Sequence, residues 1–538
     1  MKNQILGIAI VLQGIAITTF AQKKDKELFR INDNSVTVSE FKRVYEKNLG
    51  LVVDNEAKDI DNYLDLYINY KLKVKEAYDL KLDTLKSYQK ELEGYKNQLI
   101  APYLQDKETL EQLVKDAYYR TVNEIRASHL LIRVSQKASA KDTLEAYNKI
   151  VNARERILKG ESFENVALEV SEDPSVKLNR GDLGYFSAFK MVYNFEDNAY
   201  ATEVGKVSKP FRTRFGYHLV KVTDRRKSQG EFEAAHILVR DKSIVGKVRI
   251  DSAYQKLKDG ALFNDIAKVY SEDTGTAKNG GKLARFGTGS MVEQFENTVL
   301  GMKNINDISE PFKTRFGWHI VKLLNKFPVE PYEIAKKKIE GKVKRSDRLQ
   351  ASYEAVLKKL KKKYDVKVNK ESFAKIKSSS VKDYIAGKNQ DWVISIDNTK
   401  IDGNKFNEYI KYRRNSNLLE LFEQFKNYEL TEYFKKDLVN IEPDFRYTLT
   451  EYKEGLLLFE LMQKKIWKKS TTDTLGLQEF FDSKKAKYKE QKLEDVKGEV
   501  ISDYQQSLEN NWIEQLRNKN KIQIREKEVK KLKKIYNQ

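Results

Sequence analysis

Hydrophobic positions along this chain switch period several times, and the switches mark its elements. Leu28, Phe29, Ile31, Val36 and Val38 sit about an Asn32-Asp33-Asn34 turn and predict two short strands, with Ser39 placed to cap a helix carrying Phe41 and Val44. From Ile60 to about Thr121 the apolar positions recur at helical spacing, as in Leu64, Ile68, Leu72, Ala77 and Leu80. Glu124 to Val134 then reads as a strand. A helix follows whose face is expected to carry Leu144, Tyr147, Ile150, Val151, Ile157 and Leu158, ended by Gly160. Phe163, Val166, Ala167 and Val170 predict a second, shorter helix. Gly181 to Phe186 predicts a glycine-flanked strand, Phe195 to Tyr200 a helical turn, and Tyr217 to Val222 a closing strand.

That order then repeats from Glu233 to Leu323. Pro-Phe-Arg-Thr-Arg-Phe-Gly-Tyr-His-Leu-Val-Lys-Val (210–222) returns as Pro-Phe-Lys-Thr-Arg-Phe-Gly-Trp-His-Ile-Val-Lys-Leu (311–323), with nine of thirteen positions identical. Ala127-Ser128-His129-Leu130-Leu131-Ile132-Arg133 likewise returns as Ala234-Ala235-His236-Ile237-Leu238-Val239-Arg240. A period near a hundred residues is the size of a small domain rather than of a solenoid repeat. The expected fold class is α+β: two tandem domains, each a small antiparallel sheet covered by helices, set within mainly helical flanks.

Beyond Pro328 helical spacing resumes through Ile339, Val343, Val356 and Leu360 and ends on the alternating Val366-Lys367-Val368. A second hairpin pattern begins near Val393, and Ile396, Ile401 and Phe406 repeat the five-and-five spacing of Ile31, Val36 and Phe41. Ile522-Gln523-Ile524 after Trp512, Ile513 and Leu516 repeats the ending as well. The expected organisation is a leader over residues 1–22, a helical region over 23–121, the two domains over 122–226 and 231–327, returning helices over 328–378 that complete the N-terminal domain, and a second copy of that domain over 391–538.

Composition narrows the setting. The leader has Lys2, an apolar run from Ile5 to Ile17, and small residues at Thr19 and Ala21, the pattern of a cleaved secretory signal. No later run has the roughly 18 apolar residues of a membrane span. The chain contains no cysteine, which excludes disulfides, thiolate metal sites and a lipid-modified cysteine. A net charge of +21 could attract nucleic acid, anionic lipid or acidic polypeptide and selects none of them, but export argues against nucleic acid.

All four histidines of the chain, His129, His218, His236 and His319, lie in the repeated strands. Two strand-borne histidines with Asp173 or Asp273 lack the third ligand of a zinc site, and there is no nucleophile elbow for a hydrolytic triad. The residues alone leave open a pair of core histidines hydrogen-bonded across adjacent strands.

Both units resemble parvulin-type peptidyl-prolyl isomerases. The resemblance rests on the opening His strand, Ser-Glu-Asp (171–173 and 271–273), the Gly-Asp-Leu-Gly-Tyr-Phe strand, Met-x-x-x-Phe, and the closing Phe-Gly-aromatic-His. It implies active-site pairs His129 with His218 and His236 with His319, the family's Cys-or-Asp position at Asp173 and Asp273, and proline pockets formed by Leu183, Met191 and Phe195 and by Leu283, Met291 and Phe295. It implies prolyl cis/trans isomerisation without a cofactor. The layout as a whole resembles the periplasmic SurA and PpiD chaperone family. That implies a periplasmic location and clients that are unfolded secreted or outer-membrane proteins with X-Pro bonds. A non-catalytic holdase using the units for peptide recognition is the alternative reading. The copies differ at Phe189 against Gly289, and at Asp182 and Gly184 against Lys282 and Ala284.

Overall fold

A computed structural model describes residues 25–49, 58–136, 138–387, 389–413, 417–489 and 491–536. The expected leader lies outside the described residues. The chain divides into two compact units, one built from residues up to Leu99 together with Leu438 onward, the other from Ile100–Asp437.

In the first unit the hairpin Glu27–Ile31 and Asn34–Thr37 turns at Asn32, whose φ of 50° is a left-handed value that asparagine tolerates. Phe29 and Ile31 bury one face of the hairpin against Phe41, Ile60, Leu64 and Ile68 from the helices Val38–Leu49 and Ile60–Asp79, and against Trp512, Leu516, Val529 and Leu532 from the end of the chain. Asp59 caps the second helix by accepting from the N–H groups of Asp61 and Asn62.

The hairpin's third strand differs from the expected one. Ile522–Ile524 pairs with it, setting Ile522 opposite Ile31 and Ile524 opposite Phe29. Val366–Val368, expected to complete this hairpin, instead pairs in the other unit with Trp392–Ile396 of the second hairpin, Val366 opposite Ile396 and Val368 opposite Ile394. Residues 328–378 therefore do not complete the N-terminal hairpin. The two pairings are equivalent bond for bond. Asn32 N–H donates to the Lys521 carbonyl at 2.9 Å while its Oδ1 accepts from Lys521 N–H, and Asp397 makes the same two bonds to Asp365. Glu40 pairs with Lys71 at 2.8 Å, and at the corresponding place in the second copy the pair is Lys405 with Glu429, its polarity reversed. Each hairpin thus takes the strand that follows the other. Two strands of Ile/Val-x-Ile/Val are interchangeable in local pattern, so spacing alone could not assign them.

The tandem units lie within Ile100–Asp437. The first is a four-stranded antiparallel sheet in the order Asp182–Phe186, Asn123–Arg133, Gly216–Lys227, Phe211–Thr213. Because successive side chains alternate faces, Leu130, Ile132 and Leu219 pack under the helices Ala140–Leu158 and Phe163–Val170, while Ile125, Ala127, Val220 and Val222 face the helix Tyr193–Ala201. The longer helix buries only part of the expected stripe, Ile150 and, half-buried, Ile157. Ala146, Ile150 and Ala153, spaced four and three, are its buried face, and Leu144, Tyr147 and Leu158 point to solvent.

The second unit repeats the sheet with Glu231–Val239 and Gly317–Phe327 at its centre and Phe312–Thr314 at one edge. Its expected glycine-flanked strand is reduced to Phe286–Gly287 and an isolated bridge from Lys282 to Ala235. The helices Lys107–Val122 and Tyr332–Lys344 pack together through Leu113, Ala117, Ile339 and Val343.

Candidate active sites

Register brings the far-separated histidines together. His129 lies opposite Val220 and His218 opposite Leu131, so the two are diagonal neighbours on one face, with ring centroids 6.0 Å apart and planes 22° from parallel. In the second unit His236 and His319 take the same places, 5.7 Å apart. Gly181 makes this possible in the first unit. Its carbonyl accepts from His129 N–H at 2.8 Å, and a Cβ there would lie 2.5 Å from the His129 carbonyl oxygen, at a φ of +87°. Gly281 repeats the approach beside His236.

Each closing histidine is held from behind. Thr213 Oγ1 lies 2.8 Å from His218 Nε2, and Thr314 Oγ1 lies 2.8 Å from His319 Nε2. Phe211 stacks on His218 at 5.5 Å, as Phe312 does on His319. Phe195 stands edge-on to both His129 and His218, at 5.7 and 5.4 Å, and Phe295 does the same to His236 and His319. Leu183 and Met191 are half-buried against the cluster that contains Phe195, and Leu283 and Met291 against the one that contains Phe295. All twelve expected site residues therefore converge, six on each sheet. The supporting pairs Phe211 with Thr213 and Phe312 with Thr314 were missed, although they are identical in the two copies of the thirteen-residue line.

Burial sets the protonation of this face. It pushes His218 down to about 3, helped by the neighbouring His129, and pushes His319 down to about 4, helped by His236. Burial also lowers His129. His218 and His319 are thus neutral at physiological pH.

The carboxylates separate the two units. In the second, His236 Nε2 lies 2.8 Å from Asp273 Oδ2 and 3.2 Å from Thr276 Oγ1. In the first, Val176 replaces that threonine, and the Asp173 carboxylate turns to Ser175, accepting its N–H at 2.7 Å. His129 Nε2 is left 3.4 Å from Asp173 without a hydrogen bond from either ring nitrogen. For both aspartates burial raises the carboxyl, but hydrogen bonds outweigh it and hold the group below its ordinary value: from Ser175 to Asp173, and from Thr276 and His236 to Asp273. Among the described residues no group of three metal-ligating side chains stands together. What each site offers is an apolar cluster of Leu, Met and Phe side chains, bordered by two imidazoles, a hydroxyl and an ionised carboxylate.

The PPIC-type PPIASE domain family matches residues 129–224 and again residues 223–327. The Chaperone SurA of Saccharophagus degradans is 32% identical over 216 residues, covering 39% of this chain and 50% of that protein. The Chaperone SurA of Chromobacterium violaceum is 30% identical over 221 residues, covering 39% and 51%. The parvulin of Nitrosopumilus maritimus, known in solution, is 34% identical and covers 19% of this chain and 97% of that one, with a TM-score of 0.16. The chain spans about half the length of the curated relatives it matches. With the paired histidines, the aspartate and the apolar cluster occurring once in each domain, the chain carries two PPIC-type peptidyl-prolyl isomerase domains in tandem.

Proposed function

We propose that the protein is a periplasmic peptidyl-prolyl cis-trans isomerase that also holds unfolded chains, its clients being secreted or outer-membrane proteins. The observation that carries the catalytic part is the buried histidine pair bordering an apolar Leu, Met and Phe cluster in both domains. Rotation about an X-Pro bond breaks amide conjugation, with a barrier of roughly 18–20 kcal/mol and no bond to cleave. Catalysis then requires only that the twisted amide be bound better than the planar one. Leu183, Met191 and Phe195 grip the pyrrolidine ring out of water, as do Leu283, Met291 and Phe295. The hydroxyl, imidazole and carboxylate groups provide a fixed polar wall for the carbonyl as conjugation is lost. A neutral imidazole at His218 and at His319 suits this role, since it adds no charge that the twisted amide would have to desolvate.

A groove in the other compact unit supports the holding part. A cavity of about 780 Å³ is lined by Tyr63, Tyr67, Tyr70, Tyr78 and Tyr447, with Leu66 and Val74, and is bordered by the edge strand Asn34–Thr37. Six of its charged side chains are paired within it: Lys71 with Glu40 and Glu454, Arg43 and Lys47 with Glu451. A groove walled by aromatic rings suits extended apolar segments of many sequences. No helix among the described residues is long and apolar enough to cross a membrane. The leader pattern, the absence of cysteine and the likeness to proteins named Chaperone SurA support the location and the client class.

The two parts separate in one experiment on the full chain. Leu66→Ser with Tyr78→Ser, both at exposed positions in the groove, weakens suppression of aggregation of an unfolded polypeptide and leaves isomerisation of a proline tetrapeptide unchanged. A parent chain that suppresses aggregation but does not accelerate isomerisation makes the domains peptide-recognition modules instead.

A further inference from the structure

The two proline pockets are held in place by different means. In the second domain the loop carrying Met291 closes on itself: Glu296 Oε1 accepts from the N–H groups of Ser290 and Met291, both at 2.9 Å. In the first domain the corresponding Glu196 is fully buried and takes two arginine partners from outside the isomerase fold. Arg348, immediately before the helix Leu349–Lys363, donates from Nη2 to Glu196 Oε2 at 2.5 Å, and Arg120, on the helix Lys107–Val122, donates from Nη1 to Oε1 at 3.2 Å. Phe189 N–H donates to Oε2 at 2.8 Å as well.

The same arginine also grips the loop from its far side. The Arg348 guanidinium, 2% exposed, lies 4.1 Å from the centroid of Phe189 and 5.2 Å from that of Tyr193, and its neighbour Asp347 accepts from Tyr193 N–H at 3.0 Å. Met191 sits between those two anchored residues, and Phe195 adjoins Glu196 in sequence. The difference between Phe189 and Gly289 has its reason here. Both positions are left-handed, at φ +67° and +74°, but Phe189 is half-buried against the flanking helices, whereas a Cβ at Gly289 would stand 3.2 Å from the Tyr185 carbonyl oxygen of the first domain.

We propose that Arg348, with Arg120, is a positioning residue for the first proline pocket, setting Met191 and Phe195 through Glu196 and Phe189, and that the second pocket does not depend on it. The flanking helices thereby form part of one isomerase site and not of the other. The inference rests on the isomerase reading above. A buried carboxylate stripped of a charged partner does not keep its geometry, so loss of Arg348 releases the loop.

The test uses the full chain in two backgrounds, Phe295→Ala to leave the first site and Phe195→Ala to leave the second. In the first-site background Arg348→Gln raises KM for a proline tetrapeptide at least fivefold with kcat changed less than twofold, and Arg348→Lys recovers most of the loss. In the second-site background Arg348→Gln moves neither parameter by more than twofold, which also shows that the chain still folds. Equal losses in both backgrounds, no change in the first, or a first site silent while the second works would each overturn the proposal. Kd for the same peptide is read alongside. A parent chain that binds without catalysing defeats the isomerase reading and still tests Arg348, and a parent first site that does not bind overturns the positioning role.

Discussion

Lowering the pH from 7.5 to 5 protonates a histidine in an unfolded chain but not one held as His319 is. Its ordinary value is 6.5, and burial, with the neighbouring His236, pushes it to about 4 in the folded domain. The unfolded state therefore binds a proton below pH 6.5 that the folded state refuses until about pH 4. Stability is lost as pH falls through that window and the loss stops growing near its lower end. Over the interval from 7.5 to 5 the linkage amounts to about 2 kcal/mol. Asp273 is held below its ordinary range and stays ionised throughout. Trp318 precedes His319 on the same strand and reports on this domain once Trp392, Trp467 and Trp512 are changed to Phe. At a urea slope of roughly 1–3 kcal/mol per molar, the fluorescence midpoint falls by about 0.7–2 M between the two pH values. His319→Phe, placed between Phe295 and Phe312, removes that part of the pH dependence. A parent midpoint that does not move, or a shift that survives His319→Phe, would show that the imidazole is not buried as described.

Three further outcomes follow from the geometry. Thr276→Val gives the second site the first site's pattern, and loss of a hydroxyl 3.2 Å from His236 Nε2 lowers its kcat/KM by about two- to tenfold, roughly 0.5–1.5 kcal/mol; an unchanged value refutes a role for that hydroxyl. Proteolytic cleavage between Gly387 and Gln390 leaves the pieces associated, because each hairpin's third strand then belongs to the other piece; separation on gel filtration refutes the exchanged pairing. Gly281→Ala destabilises the second domain by roughly 1–3 kcal/mol or more, since a Cβ would stand 2.1 Å from the His236 carbonyl oxygen at a φ of +78°; an unshifted urea midpoint refutes the close approach.

Much of this architecture is written in local pattern. The repeated His strands, the glycine at 181 and 281 and the Met-x-x-x-Phe spacing each encode a contact made within one domain, and internal duplication shows them twice. What stayed hidden depends on partners distant in the chain. Val366–Val368 and Ile522–Ile524 suit either hairpin equally, so only the folded topology assigns them. Glu196 carries no mark that its partners lie 76 residues before it and 152 after it. On Ala140–Leu158 the misreading came from weighting large side chains, whereas close approach of helix to sheet selects Ala146 and Ala153. Thr276 escaped because the first copy has Val176 there, so the duplication gave no signal.

The central claim is that these two sites speed rotation about X-Pro bonds. Its most direct measurement is the cis-to-trans exchange rate of a proline tetrapeptide, followed by NMR line shape with and without the full chain. The parent accelerates exchange severalfold or more, and Met191→Ala combined with Met291→Ala returns it to near the solvent rate. An exchange rate in the presence of the parent equal to that in buffer alone contradicts the account.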